Sequence, residues 1–399
     1  MNNKVSEEQK SVIANRVNNL PESFIREILK VTTRPDIISF AGGLPNPKLF
    51  PVELLQTVTN KVFVEEGREG LQYTVSEGFQ PLRHKISERY SDKGLHVKPE
   101  NILITNGSQQ GLDLTCKLLL NPGDGVLVCN PTFIGALQSF SIYEPSYSSV
   151  AIYPDGPDVE QIANVLREKE IKLFYCVPNF QNPTGATFSE EKRLQITRLI
   201  HETETIILED DPYGEIKFTS AKIPSFKQLL PEQTILLGSF SKIVAPGLRT
   251  GWLAAPDHLI RKLVILKQAA DTHNNHLVQR ILFRFLTECD VEGHIARICE
   301  VYKFQRDLMM DCIKEHFPKE VKVFSPDGGM FLWAELPEHI DAYAVFEEAI
   351  KEKVAFVPGK TFYPNLDVNN TFRLNFSNSN EDKIRKGIES LGIAIKKFL

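Results

Sequence analysis

Residues 238–252 read GSFSKIVAPGLRTGW and follow directly on the apolar run Thr234 to Leu237. A continuous apolar run that empties into a Gly- and Ser-bearing loop is the pattern of a strand buried on both faces, which delivers its loop to the edge of a sheet. The pattern repeats upstream at Ile102 to Thr105, Val126 to Cys129, Lys172 to Val177 and Thr205 to Leu208. Helical or turn-rich segments separate these runs, among them a helix near 80–93, a helix after Gln109 and the turn Pro122-Gly123-Asp124. Apolar strands alternating with helices predict an α/β domain on a mostly parallel sheet covered on both faces. Downstream, LVQRILFRFL near residue 280 begins a long helical pattern. VKVFSPDGGMFLWAEL and TFRLNFS are strand-like and 342–352 helical, which predicts a second, α+β domain.

The 399 residues suffice for one large domain with a smaller one attached, and 42% hydrophobic with 24% charged residues is the balance of a chain that folds. A formal charge of -5 with both signs interspersed offers no basic field for a nucleic-acid backbone. The six cysteines, Cys116, Cys129, Cys176, Cys289, Cys299 and Cys312, are scattered without a C-x-x-C pair. That fits reduced thiols in a cytoplasmic protein better than a zinc site or a disulfide framework. Neither a signal-peptide core nor an apolar run of spanning length occurs, so no membrane is expected as a partner. His273 and His276 in DTHNNH have helical i, i+3 spacing but no third ligand in sight, and read as structural; no metal is expected. Residues 12–31 read as two short amphipathic helices broken at Pro21, and RPDIISFAGGLPNPKLFP (34–51) as a loop packed against the body.

In open α/β sheets ligands bind beyond the carboxyl ends of the strands, so residues placed just after these runs converge on one crevice. ITNGSQQGL (104–112) passes from a strand through Gly107 into a helix beginning near Ser108. Its free N–H groups, the Ser108 hydroxyl and the Gln109 amide make an anion cup, although an ordinary helix cap fits the same residues. Neither a P-loop nor a G-x-G-x-x-G fingerprint is present. TIILEDDPYGEI (205–216) ends a buried strand on Glu209, Asp210 and Asp211, with Tyr213 close behind. A carboxylate there is costly unless something cationic faces it, or unless, as fits Asp211, it caps the turn at Pro212. VPNFQNPTGATF (177–188) sets Asn182 before a Pro-Thr-Gly turn that fixes its side chain; an ordinary turn fits this too.

In the opening stretch, Ser239, Ser241 and Arg249 supply two hydroxyls and a forked guanidinium, a donor set suited to a phosphate dianion, and the Pro246-Gly247 turn brings Arg249 back toward the serines. Lys242 then has a cation beside it and an anion cup below it. A lysine near another cation and away from water has a lowered pKa, which makes its amine nucleophilic toward an aldehyde. An aldehyde that carries a phosphate is pyridoxal 5'-phosphate.

SFSKIVAPGLRTG (239–251) matches S-x-S-K-x-x-x-P-G-x-R-x-G, with NPTG sixty residues and DDPY thirty-two residues before Lys242. The sequence resembles the fold-type-I pyridoxal-phosphate enzymes of the class I and II aminotransferase family over essentially the whole chain. The resemblance implies a large, mostly parallel seven-stranded sheet domain between helices and a smaller α+β domain. The boundaries expected are 1–47 for an N-terminal helix and substrate-covering segment packed with the small domain, 48–285 for the cofactor-binding domain and 286–399 for the small domain.

It also implies roles. Lys242 carries the cofactor and moves the proton between the amino-acid α-carbon and the cofactor. Asp210 pairs with the ring nitrogen, Tyr213 and Asn182 hold the ring's phenolic oxygen, and Phe133, where relatives often carry tyrosine, stacks on the ring. Gly107, Ser108, Gln109, Ser239, Ser241 and Arg249 form the phosphate cup. Tyr73, in LQYTVSEGFQPLR, resembles a tyrosine that reaches the phosphate of the neighbouring subunit of a homodimer with shared sites; an ordinary exposed aromatic is the alternative. Arg373, in TFRLNFS, matches the arginine that grips the substrate α-carboxylate.

FIREILKVTTRPDIISFAGGLPNPKLFP (24–51) resembles the subgroup of 2-aminoadipate aminotransferases and kynurenine aminotransferase II. There Gly43 approaches the substrate, and Arg26 reads a distal carboxylate unless it is a solvated surface residue. The expected reaction is transamination of 2-aminoadipate, glutamate, aromatic or branched-chain amino acids with 2-oxoglutarate as acceptor. A β-lyase or decarboxylase of the same fold keeps every cofactor residue, and a cofactor-sensing regulator is the reading from outside enzymology. A regulator needs an N-terminal winged helix, for which the roughly 45 residues ahead of the large domain are too few.

Overall fold

The computed structural model describes residues 13–18 and 34–399. Of the two helices expected over residues 12–31 it describes only the turn Asn15–Asn18; Arg26 lies outside the described residues. The strands in chain order are β1 (Ile38–Ser39), β2 (Ile102–Thr105), β3 (Gly125–Asn130), β4 (Ser146–Tyr153), β5 (Gly156–Pro157), β6 (Ile171–Cys176), β7 (Ile206–Asp210), β8 (Thr234–Ser239) and β9 (Gly251–Ala254), then β10 (Lys322–Phe324), β11 (Phe331–Glu335), β12 (Val354–Ala355), β13 (Val357–Pro358) and β14 (Thr371–Asn375).

The large sheet has the order β2-β9-β8-β7-β6-β3-β4-β5. Its central strands β8, β7, β6, β3 and β4 run parallel, and β9 is inserted antiparallel between β2 and β8. The sheet has one strand more than the seven expected. The eighth, β5, is a two-residue antiparallel edge paired to the end of β4.

Alternation along the buried strands sorts their side chains into two cores. Leu127, Phe174 and Ile207 join the helices Val159–Glu168 and Glu190–His201 on one face, whereas Val128, Tyr175 and Leu208 join the main core on the other. Glu209 and Asp210, adjacent at the end of β7, accordingly face opposite ways. Glu209 accepts from the backbone N–H of Phe226 and Lys227 at 3.1 and 2.9 Å, capping the short helix Phe226–Leu229. Asp210 is left on the side of the crevice.

Beyond the long helix Val291–His316, β10-β11-β14-β13 form an antiparallel four-stranded sheet packed by the helices Ala342–Lys351 and Glu381–Lys396. β1 pairs in parallel with β12, and the Asn375 N–H donates to Phe40 O at 2.8 Å, so residues 38–40 are stitched to this second sheet. Among the described residues no helix is long and apolar enough to cross a membrane.

Candidate active site

The carboxyl ends of β2, β3, β6, β7 and β8 open on one cavity of about 370 Å³, closed from the far side by Gly43, Phe331 and Arg373. Because β9 runs backwards, its first residue, Gly251, lies at this same edge, opposite Thr105 on one side and Ser239 on the other. Arg249, two residues earlier, is thereby brought against the turn after β2.

Three segments build a cluster of donors at one end. Gly107 takes a left-handed φ of +72° and starts the helix Ser108–Leu119 without a side-chain cap, so the first N–H groups of that helix are free to meet an anion. The helical turn Pro246–Leu248 ends on Arg249 at φ 47°, and the Arg249 guanidinium reaches Asn106 O at 3.4 Å. Ser239 Oγ accepts from the Ser241 N–H at 3.1 Å. One expected donor is otherwise engaged: the Gln109 amide gives its hydrogens to Gly135 O at 2.8 Å and Ser139 Oγ at 2.6 Å. Gln109 lines the cavity, but it braces the helix Ile134–Ser141, leaving its backbone N–H for the cup.

At the opposite end Asp210, 2% exposed, is pushed up to about 7 by burial, against a hydrogen bond from Tyr175 and reinforced by the nearby charge of Asp211. Tyr175 Oη donates to Oδ2 at 3.0 Å, while Oδ1 has no partner among the described residues. Among the described residues no side chain supplies the cation that the sequence demands opposite Asp210. Asp211 instead accepts from the Gly214 N–H and from Asn179 Nδ2, both at 2.9 Å, and caps its own turn.

Lys242, half-buried, donates to Gly43 O at 2.9 Å. Burial, then the charges of Arg373 and Arg249, bring its pKa down to about 8. Desolvation thus outweighs the neighbouring cation as the cause. Arg373, on β14, donates to Asn182 Oδ1 and Ala41 O, each at 2.7 Å, and stacks 4.3 Å from the Phe331 ring. It has no carboxylate partner among the described residues, its Nε is unbonded there, and burial lowers its pKa to about 10. Tyr213 hydrogen-bonds with Asn182 and meets Phe331 edge-on at 6.0 Å. Burial pushes its phenol well up.

Phe133 borders the cavity on the loop after β3, its ring so close to Gly135 that a Cβ there would lie 2.5 Å from it. Tyr73 lies outside the cavity of its own chain, 82% exposed, with its ring edge-on to His273 at 5.6 Å. Phe331, Val177, Ile134 and Gln138 line the cavity without having been singled out from the sequence. For Phe331 the signal was its GGM-FLW context after a glycine pair; for the others, single apolar or amide residues carried none.

The model of the family described as aminotransferase class I and II matches residues 45–391. The chain belongs to that family. This aminotransferase is 41% identical over 381 residues to aromatic-amino-acid aminotransferase 1 of Thermococcus litoralis, covering 94% of this chain and 91% of the relative. To the 2-aminoadipate transaminase of Thermus thermophilus it is 39% identical, covering 94% of each. The crystal structure of Pyrococcus horikoshii kynurenine aminotransferase in complex with PMP superposes with a TM-score of 0.95 at 40% identity, covering 98% of this chain and 99% of that one. The fold is fold type I, the activity is transamination of amino acids, and the cofactor is pyridoxal 5'-phosphate.

The residues present fit that cofactor. The orphaned Oδ1 of Asp210 awaits a ring N–H, the uncapped helix beside Arg249 awaits an anion, and Lys242 has a depressed amine. In this aminotransferase Arg373 lines the same cavity, and its Nε has no partner among the described residues.

Proposed function

We propose that this aminotransferase exchanges amino groups between 2-aminoadipate, glutamate, aromatic or branched-chain amino acids and 2-oxoglutarate, as a cytoplasmic homodimer with shared active sites. The observation that carries the substrate reading is Arg373, a buried guanidinium facing the cavity without a carboxylate partner among the described residues. A buried cation is costly without an anion, and the α-carboxylate common to all these substrates supplies one. The named relatives act on aromatic amino acids and on 2-aminoadipate, which supports a site that takes both apolar and acidic side chains. An exposed apolar surface at Val64, Leu71, Tyr73 and Val75 supports a second copy packing beside the site. Six free cysteines suit a reducing compartment.

The bound cofactor supplies an electron sink for the α-carbanion. In the proposed division of labour the free N–H groups of Ser108 and Gln109, with Ser239, Ser241, Arg249 and the Gly107 turn, anchor its phosphate. Asp210 holds the ring nitrogen, Tyr213 and Asn182 its phenolic oxygen, and Phe133 one face. Arg373 grips the α-carboxylate, and the Gly43 carbonyl, already bonded to Lys242 Nζ, keeps the amine pointed at the cavity. Lys242, whose ammonium form is disfavoured by burial and by the charges of Arg373 and Arg249, would take the α-proton and return it to the cofactor. Arg26 is proposed to meet a distal carboxylate.

The test is to add single amino acids to the holoenzyme without an oxo acid and follow the visible absorbance of the bound cofactor. Glutamate and 2-aminoadipate should discharge it to the pyridoxamine form, and 2-oxoglutarate should restore it. A band that no amino acid discharges would overturn the substrate reading.

A further inference from the structure

We propose that Tyr175 is a positioning residue that decides on which side the proton lies between Asp210 and the cofactor's ring nitrogen. The inference rests on the reading of Asp210 as the ring-nitrogen partner. Tyr175 stands opposite Leu208 in the parallel pairing of β6 with β7, and Asp210 is two residues further along β7, on the same face and diagonal to Tyr175. The phenol is fully buried and donates to Oδ2 at 3.0 Å, which leaves Oδ1 as the one free oxygen of a carboxylate lining the cavity.

A neutral acid against a neutral ring nitrogen and a carboxylate against a protonated ring contain the same number of protons. What separates them is the basicity of Asp210. The groups acting on it are few. Asp211 lies beside it and disfavours its charge, burial does the same, and the Tyr175 hydrogen bond favours it. Tyr213, also close, is itself held neutral by burial. No Lys or Arg hydrogen-bonds Asp210 among the described residues, so the Tyr175 hydroxyl is the side-chain donor available to hold Asp210 as an anion. Burial and the adjoining carboxylate push the Tyr175 pKa well up, so it remains a donor at every working pH. With the donor in place the proton belongs on the ring; without it the proton falls back toward Oδ1, and the ring loses the positive charge that draws electrons from the α-carbon.

The experiment is ¹⁵N NMR of holoenzyme loaded with ring-¹⁵N pyridoxal 5'-phosphate, for the wild type, Tyr175→Phe and Asp210→Asn. Wild type should show the protonated-ring position, and both variants should move toward the unprotonated one. For Tyr175→Phe, kcat should fall by about tenfold with KM for the amino acid within about twofold, the pattern of an interaction felt in the chemical step rather than in binding. Phe140, edge-on to Tyr175 at 5.3 Å, supplies the packing control. Phe140→Leu disturbs the same core without touching the hydroxyl, and should lower Tm while leaving the ¹⁵N signal in place. A signal that moves in Asp210→Asn but not in Tyr175→Phe overturns the proposal, as does an equal shift in Phe140→Leu. A signal that moves in neither Asp210→Asn nor Tyr175→Phe overturns the assignment of Asp210 itself.

Discussion

The Arg373 guanidinium, carried on β14 of the second sheet, donates to Asn182 Oδ1 on the loop after β6 at 2.7 Å, and so joins the two halves of the chain across the cavity. Arg373 Nε has no partner among the described residues, and the side chain lines the same cavity as Lys242. Truncating one partner of a buried, hydrogen-bonded charge costs several kcal/mol, so Arg373→Ala should lose on the order of a hundredfold or more in kcat/KM. Arg373→Lys keeps the charge but not the fork and should recover only part of that loss. Steady-state kinetics with glutamate checks both, and near-normal values would remove Arg373 from the site.

Lys242 gives a pH dependence whose sign follows from its surroundings. Burial and two guanidinium groups disfavour its ammonium form, so covalent capture of an aldehyde by the apoenzyme should rise with pH through a midpoint near the lysine's value of about 8. Pyridoxal without its phosphate is the suitable probe, since its capture does not involve the phosphate cup. In Arg373→Met one of the two cations is gone, the ammonium is less disfavoured, and the midpoint should move up. A midpoint near the ordinary lysine value in the wild type would contradict this account.

Asp210 predicts a conflict between stability and function. Its ordinary value is 3.8 and its native value about 7, so between those pH values the folded apoenzyme holds a proton that the unfolded chain releases. Stability from this group is present below pH 4 and is lost as pH rises through about 7. Asparagine never ionises, so apo Asp210→Asn should come close to the wild type near pH 4 and exceed it in Tm by a few degrees at pH 8, while its affinity for the cofactor falls. Differential scanning calorimetry of both apo proteins at the two pH values decides it.

Much of this site was legible because the chemistry follows strand ends. Lys242, Asp210 and Asn182 each come directly after an apolar run, and one sheet edge collects them. What was not legible depended on which strands are neighbours. Tyr175 looks like one more apolar residue of β6 until β7 is placed beside it with Asp210 on the diagonal. Four-residue β9 is too short to read as a strand, yet its antiparallel insertion is what carries Arg249 to Gly107. The Gln109 amide was expected at the phosphate because its neighbours are there; only the packing of the helix Ile134–Ser141 shows that its donors are engaged.

Gly107 separates the phosphate cup from the rest of the cofactor site. Its φ of +72° disfavours a side chain, and an added Cβ would lie 2.8 Å from an Arg249 nitrogen. The backbone cost of Gly107→Ala is about 1 to 2 kcal/mol, and Arg249 must move as well. Affinity for pyridoxal 5'-phosphate should fall while capture of pyridoxal is nearly unchanged. Equal losses for the two aldehydes would show that the change is not confined to the phosphate.

Tyr73 offers the sharpest test of a shared site. It is exposed and outside its own chain's cavity, so any part it plays in cofactor binding has to be played in the neighbouring subunit. Lys242→Ala should be inactive, and Tyr73→Ala should bind the cofactor weakly enough to be silent at limiting cofactor. In a hybrid of the two, one site collects both substitutions and the other collects neither, because its lysine comes from one chain and its tyrosine from the other. Random exchange between equal amounts of the two dimers therefore makes roughly a quarter of all sites intact, and activity should appear in a mixture of two silent parents. If Tyr73 served its own chain, no hybrid site would carry both native residues, and the mixture would stay silent.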